Sequence, residues 1–401
     1  LNYAGFDLIS NVDKNQSMTA SRLNEISPFI VMEVLEKAAE LEREGKHIIH
    51  LEVGEPDFNM PESAVKASNK ALLEGRTHYT HSLGDPELRQ AIVDRYTKEY
   101  GVDVKQEQVI VTSGSSPAIL LALSALCNEG DEIILPDPGY ACYPNFIHYI
   151  GAKSVRVPVS PLDGFQLHAD AIQKKISLRT KAILINSPMN PMGNLLKPEI
   201  LQSIVNLGQT VISDEIYHGL VYKGKAHSIL EYTSNAFVLN GFSKLYAMTG
   251  LRLGYLIAPQ QYIRPMQKLQ QNLFICASSV AQRAGIAVLR EASADIEHMK
   301  TIYNERRIYM IQRLRELGFP IPVEPTGAFY VFVDASHLSK DSYQLAFEIL
   351  NEAHVGVTPG IDFGPGGEGF LRFSYANSIE NIREALDRLE KFIQNRSTST
   401  H

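Results

Sequence analysis

The sequence predicts an α/β fold: a mostly parallel sheet sandwiched by helices, with a smaller α+β domain beside it. Three observations carry this expectation. At 401 residues the chain exceeds what one hydrophobic core normally supports, so two domains are expected. From Gln108 to Leu239 short apolar runs alternate with helical stretches, the pattern of strands buried on both faces. Beyond about residue 295 the texture changes to a long charged amphipathic segment and then short strand-like runs.

In order, residues 1–26 are polar and weakly periodic, as suits an arm lying on another surface. Ser27-Pro28 predicts a helix start, a cap followed by proline at the first helical position, and Gly45 a helix end. His47 to Val53 reads as a short strand and residues 54–58 as a turn. Asp85 and Pro86 predict a capped helix running to about Tyr100 and closed by Gly101. Runs at 109–112, 132–135, 182–185, 211–212 and 237–239 are the expected strands, with a helix starting near Pro117. A charged helix through Leu317, a strand-like run at 327–333, another at 369–375 and a last helix around 381–392 complete the chain. These divide into a large domain at 56–294 and a small one from 27–55 with 295–401. The tail from Ser397 to His401 is expected to fray.

Composition narrows the function. An apolar fraction of 44% and a charged fraction of 21% fit a soluble globular protein. A net charge of -7 without a Lys/Arg block argues against nucleic-acid and membrane-surface partners. Cys127, Cys142 and Cys276 are too scattered for a disulfide framework or a metal site, so reduced thiols and a cytoplasmic location are expected. No charged-then-apolar stretch opens the sequence, and the densest apolar run, Ala118 to Cys127, is about half the ~20 residues of a membrane span.

The chemistry concentrates in Asn240-Gly241-Phe242-Ser243-Lys244, with Arg252 eight positions after the lysine. A lysine among small residues can form a Schiff base with an aldehyde cofactor, and a nearby arginine can pair with that cofactor's phosphate. Ser113-Gly114-Ser115-Ser116 follows a strand and opens a helix, where free backbone N–H groups attract an anion.

The string from Asn240 to Tyr255 resembles the Ser-Phe-Ser-Lys-x-x-x-Met-x-Gly-x-Arg-x-Gly-Tyr signature of the class I aminotransferases, pyridoxal phosphate enzymes of fold type I. Six further motifs follow the family's order, and the resemblance spans nearly the whole chain. It implies pyridoxal 5'-phosphate held by Lys244, with its phosphate on Arg252 and on a cup of Gly114, Ser115 and Ser116. It implies an aromatic ring from Tyr140 against the cofactor ring, Asp214 at the pyridine nitrogen, and Asn190 and Tyr217 at the phenolic oxygen. Arg372, in Arg-x-Ser-Tyr, would hold the substrate α-carboxylate, with Gly54 and Asn190 beside it. Tyr79 would reach the phosphate of a neighbouring subunit, which implies a homodimer with shared active sites.

Three positions depart from the family pattern. Gly241 replaces a serine whose hydroxyl contacts the phosphate, with Ser243 as the available substitute, and Met192 replaces a threonine. Ser116 stands where aspartate-using members carry a lysine for the second carboxylate, and Arg22 or His81 would have to supply that charge. A neutral or aromatic donor, with 2-oxoglutarate or pyruvate as acceptor, is therefore favoured over aspartate. The implied reaction is amino transfer from an L-amino acid to a 2-oxo acid. Alternatives on the same scaffold are a β-eliminating lyase or a synthase; a pyridoxal-phosphate-sensing regulator would need a DNA-binding module ahead of Ser27.

Overall fold

The fold is that of a computed structural model describing residues 19–398. Most of the expected arm, residues 1–18, and the end of the tail, residues 399–401, lie outside the described residues.

The central sheet has seven strands in the order Val109–Thr112, Gly254–Ile257, Ala236–Gly241, Thr210–Asp214, Thr180–Asn186, Glu132–Asp137, Lys153–Pro158. The last five are mutually parallel, and Gly254–Ile257 runs antiparallel to both its neighbours. Alternate side chains serve opposite faces: Val111, Ile183 and Val238 join one apolar cluster, while Ile110, Leu184 and Phe237 join another. Burial on both faces explains why these strands read as continuous apolar runs.

Two strands of this sheet are absent from the expected runs. Lys153–Pro158 forms one edge, and of its residues only Val157 is buried, so no apolar run marks it. Gly254–Ile257 is fully buried but only four residues long, and its first two residues read as the close of the lysine motif.

Register aligns the strand ends. Thr112 lies opposite Gly254, Gly254 opposite Gly241, and Asn186 opposite Asp214. The carboxyl ends of the parallel strands therefore share one edge, where open α/β sheets bind ligands.

A second, antiparallel sheet orders Thr358–Pro359, Phe370–Ser374 and Tyr330–Asp334, and places Arg372 opposite both Thr358 and Phe332. Ile49–His50 pairs in parallel with Val355–Gly356, tying the N-terminal segment to the C-terminal part of the chain. Helices Ser293–Glu316, Ser342–Ala353 and Ile379–Thr398 accompany these strands. No helix among the described residues is long and apolar enough to cross a membrane.

The helix Pro86–Tyr100 follows its sequence signals closely. Asp85 accepts the Glu87 N–H, and Gly101 closes the helix at φ +69°. The first long helix does not begin as expected. It spans Ile30–Arg43, and Ser27 spends its N–H on the Asn145 side chain. Asp362 instead accepts the N–H groups of Ile30 and Val31, at 2.9 and 3.3 Å. The cap is tertiary, supplied from more than three hundred residues away, and local pattern cannot reveal it.

Candidate active site

A cavity of about 230 Å³ opens at the shared strand edge. Lys244, Asp214, Tyr217, Asn190, Tyr140, Ser115, Gly54 and Arg372, brought together from both sheets and their loops, line it.

Lys244 follows the strand Ala236–Gly241, and its Nζ donates to the Gly54 carbonyl at 2.5 Å. Burial pulls the amine down from its ordinary value to about 8; the Arg372 and Arg252 charges act in the same direction, while Glu55 and Asp214 oppose. Asp214 ends the next strand. Its Oδ1 accepts the Ile216 N–H at 3.0 Å, and its Oδ2 accepts the Tyr143 hydroxyl at 2.8 Å. Burial raises this carboxyl to about 6, against the pull of those two hydrogen bonds and of Lys244.

Arg372 is held from several sides. Nη1 donates to Asn190 Oδ1 at 2.9 Å, Nη2 to Thr358 Oγ1 at 3.0 Å and to the Glu52 carbonyl. The guanidinium carbon lies 4.3 Å from the centre of the Tyr330 ring and 5.1 Å from that of Phe363. Its buried Nε–H has no hydrogen-bond partner among the described residues, a donor left for an anion. Asn190 is fixed in turn by its own N–H on Asn186 Oδ1, and Tyr217 shares a 2.8 Å hydroxyl contact with Tyr330.

Two glycines permit close packing around Arg252 and the start of the helix after strand Val109–Thr112. Gly114 has φ +102°, and a Cβ there would stand 2.6 Å from Arg252 Nη2. A Cβ at Gly254 would stand 2.5 Å from the Gly114 carbonyl carbon and 2.8 Å from Ser115 N. Helix Ser115–Leu126 starts here and Ser115 lines the cavity, so the helix N-terminus adjoins it, with the Arg252 guanidinium packed against Gly114. Gly241 has a packing reason: a Cβ would lie 3.1 Å from the Leu253 carbonyl oxygen and 3.2 Å from Ile216 Cδ1, so a serine there would have to displace its neighbours.

The remaining expected residues lie apart from the cavity wall. Ser243 is buried beside Lys244, and Ser116 is exposed one position into the helix. Tyr79 is 80% exposed on the single chain. Neither proposed substitute for a second cation lines the cavity: Arg22 sits over the Tyr149 ring, and the His81 ring accepts the Leu83 N–H.

Sequence reasoning missed several contributors. Tyr143, which no motif singles out, lines the cavity and grips Asp214. Tyr330 lies inside the strand-like run 327–333, and Asn186 directly follows the run 182–185. Phe29, Val31, Met32 and Leu35 build an apolar wall from the entry and first turns of helix Ile30–Arg43. The available signal is the i, i+3 spacing of Phe29, Met32 and Leu35, which marks an apolar helix face but not what that face covers.

The family model for class I and II aminotransferases matches residues 46–389. A (5-formylfuran-3-yl)methyl phosphate transaminase of Methanocaldococcus jannaschii is 42% identical, over 94% of this chain and 100% of that relative. An aspartate aminotransferase of Pyrococcus horikoshii is 38% identical, over 95% of this chain and 99% of its own. A crystal structure from Methanococcus jannaschii, described as similar in its active site to kynurenine aminotransferases, superposes with a TM-score of 0.88 at 41% identity, over 94% of this chain and 100% of that one. The chain belongs to the class I and II aminotransferases and has their fold type I architecture. It is a transaminase, moving an amino group between an amino acid and a 2-oxo acid.

Proposed function

We propose that the enzyme uses pyridoxal 5'-phosphate, anchored on Lys244, to move the amino group of a neutral or aromatic L-amino acid to a 2-oxo acid such as 2-oxoglutarate or pyruvate. One observation carries this reading: a lysine amine of lowered pKa, a buried carboxylate and a partly unsatisfied arginine share one cavity. The residues fit the cofactor, because Ser115 brings a helix N-terminus to the cavity wall and Arg252 packs against Gly114 just before it, which together suit a phosphate.

When bound, pyridoxal phosphate supplies an electron-accepting ring and an aldehyde that carries the amino group. Lys244 would be the residue that holds it covalently, and its free amine would take the proton from the substrate Cα. A pKa of about 8 leaves a usable fraction of neutral amine near pH 7. Asp214 serves the ring nitrogen, Tyr217 and Asn190 the phenolic oxygen, and Tyr140 the ring face. Gly114, Ser115, Ser116, Ser243 and Arg252 take the phosphate, with Tyr79 reaching the phosphate of a second subunit. Arg372 holds the substrate carboxylate through its guanidinium fork, with Gly54 and Asn190 beside it.

The donor class rests on the wall and on charge. Phe29, Val31, Met32 and Leu35 present apolar surface, and the cations among the described lining residues, Lys244 and Arg372, already have assigned roles. Nothing in that lining then meets a side-chain carboxylate, which agrees with Ser116 in place of lysine.

A shared-site homodimer is part of this reading, supported by the exposure of Tyr79 on the single chain. So is a cytoplasmic location, supported by three free cysteines. So too is the division into 56–294 and the combined 27–55 and 295–401, supported by the pairing of Ile49–His50 with Val355–Gly356.

Borohydride reduction of the cofactor-loaded protein, followed by peptide mass mapping, tests the anchor. The mass of a reduced pyridoxyl phosphate group is expected on Lys244, and Lys244→Ala should lose both that label and at least ~100-fold in turnover. A label on another lysine, or near-normal turnover by Lys244→Ala, contradicts the reading.

A further inference from the structure

A carboxylate that is to pair with a ring nitrogen must be both ionised and correctly aimed. Burial works against the first requirement at Asp214, and the surrounding groups determine how far it succeeds. Lys244 faces the carboxylate as a cation, and Tyr140 and Tyr217 lie near it as neutral phenols held well above their ordinary pKa by burial. Glu215, next in the chain, turns its own carboxylate to Ser213, Ser228, Tyr96 and the Ile229 N–H. Direct hydrogen bonds to the Asp214 carboxylate come from the Ile216 N–H on Oδ1 and the Tyr143 hydroxyl on Oδ2.

Tyr143 is itself only 3% exposed and comes from helix Cys142–Tyr149, on the connection after strand Glu132–Asp137. In the sheet order strand Thr180–Asn186 stands between that strand and the one ending in Asp214, so the hydrogen bond ties two separated strand ends across the floor of the cavity. The Tyr143 ring also packs edge-on to Tyr140, with centroids 5.1 Å apart at 78°.

We propose that Tyr143 is a positioning residue for the reaction: its hydroxyl keeps Asp214 ionised and aimed at the cofactor's ring nitrogen, while its ring braces Tyr140. This rests on the assignment of Asp214 to the ring nitrogen made above. Removing the hydroxyl leaves Oδ2 a buried acceptor without its charge-assisted partner, and the carboxyl takes up a proton more readily. A neutral acid no longer holds a protonated nitrogen.

The test compares wild type, Tyr143→Phe, Asp214→Asn and the double variant as holoenzymes, with kcat and KM for an amino donor measured from pH 5 to 9 and pyridoxal phosphate Kd measured by equilibrium dialysis. In Tyr143→Phe the acidic limb of kcat should move up by about one pH unit and Kd should weaken by roughly tenfold, the ratio that one unit represents. KM should change little, because Arg372 and Asn190 are untouched. In the Asp214→Asn background, Tyr143→Phe should add no further weakening. An unmoved acidic limb with unchanged Kd, or equal weakening in both backgrounds, would overturn the proposal by reducing Tyr143 to packing.

Should Tyr143→Phe fail to fold, 3,5-difluorotyrosine placed at 143 preserves the shape and strengthens the donor. The acidic limb should then move down, and an unmoved limb counts against the proposal. Normal wild-type turnover with an unmoved limb sinks only the role of Tyr143. A wild type that binds no pyridoxal phosphate overturns the reading of the site, and this proposal with it.

Discussion

Lys244 and Asp214 show how one environment tunes two groups in opposite ways. Burial disfavours charge on both, lowering the amine to about 8 and raising the carboxyl to about 6. For Asp214 this has a stability consequence. Its folded value lies above the ordinary 3.8, so the folded chain holds the proton more tightly. The resulting stability is fully present below about pH 4 and is lost as pH rises through 6, an effect of about 3 kcal/mol at ~1.4 kcal/mol per pKa unit. Asp214→Asn removes a buried charge at neutral pH. In the cofactor-free protein, thermal melts should therefore show Asp214→Asn more stable than wild type at pH 7.5 and not at pH 4. Equal melting temperatures at pH 7.5 would show that the carboxylate is better solvated than its burial implies.

At the scale of elements, helix Ile30–Arg43 links fold to specificity. It carries three residues of the apolar wall, has no side-chain cap of its own, and is held at its N-terminus by Asp362. Asp362→Ala should destabilise the protein by about 1 kcal/mol, the usual worth of a cap. It should also raise KM for bulky apolar donors more than for alanine, because the wall is loosened while the hydrogen bonds of Arg372 to Asn190 and Thr358 are kept. Chemical denaturation and a donor series check both, and equal KM changes across the series would separate the helix from specificity. This helix also marks the limit of sequence reading. Its apolar face and its Gly45 end were legible, because both are local. Its start was not, because the cap crosses from another part of the chain. The same distinction separates strand Ala236–Gly241, visible as an apolar run, from the half-exposed edge Lys153–Pro158. It separates Tyr140, placed by a motif, from Tyr143, whose partner lies on another strand.

At the scale of the whole molecule, two sheets from distant parts of the chain meet at one cavity. Strand ends from the central sheet bring Asp214, and the loop after Ala236–Gly241 brings Lys244. The antiparallel sheet brings Arg372 and Tyr330. Motif order along the sequence made this convergence readable, since most of the motifs fall at strand ends or helix starts; Arg372, in the middle of strand Phe370–Ser374, was placed by its motif alone. The apolar wall and the tyrosines that brace the polar residues became visible only in three dimensions. The most direct test of the account follows the near-visible absorption of the pyridoxal-phosphate-loaded protein while single amino acids are added without an acceptor. The account predicts that a neutral or aromatic donor bleaches the band with release of one equivalent of 2-oxo acid, and that adding a 2-oxo acid restores it. A band that persists while ammonia is released continuously would contradict it.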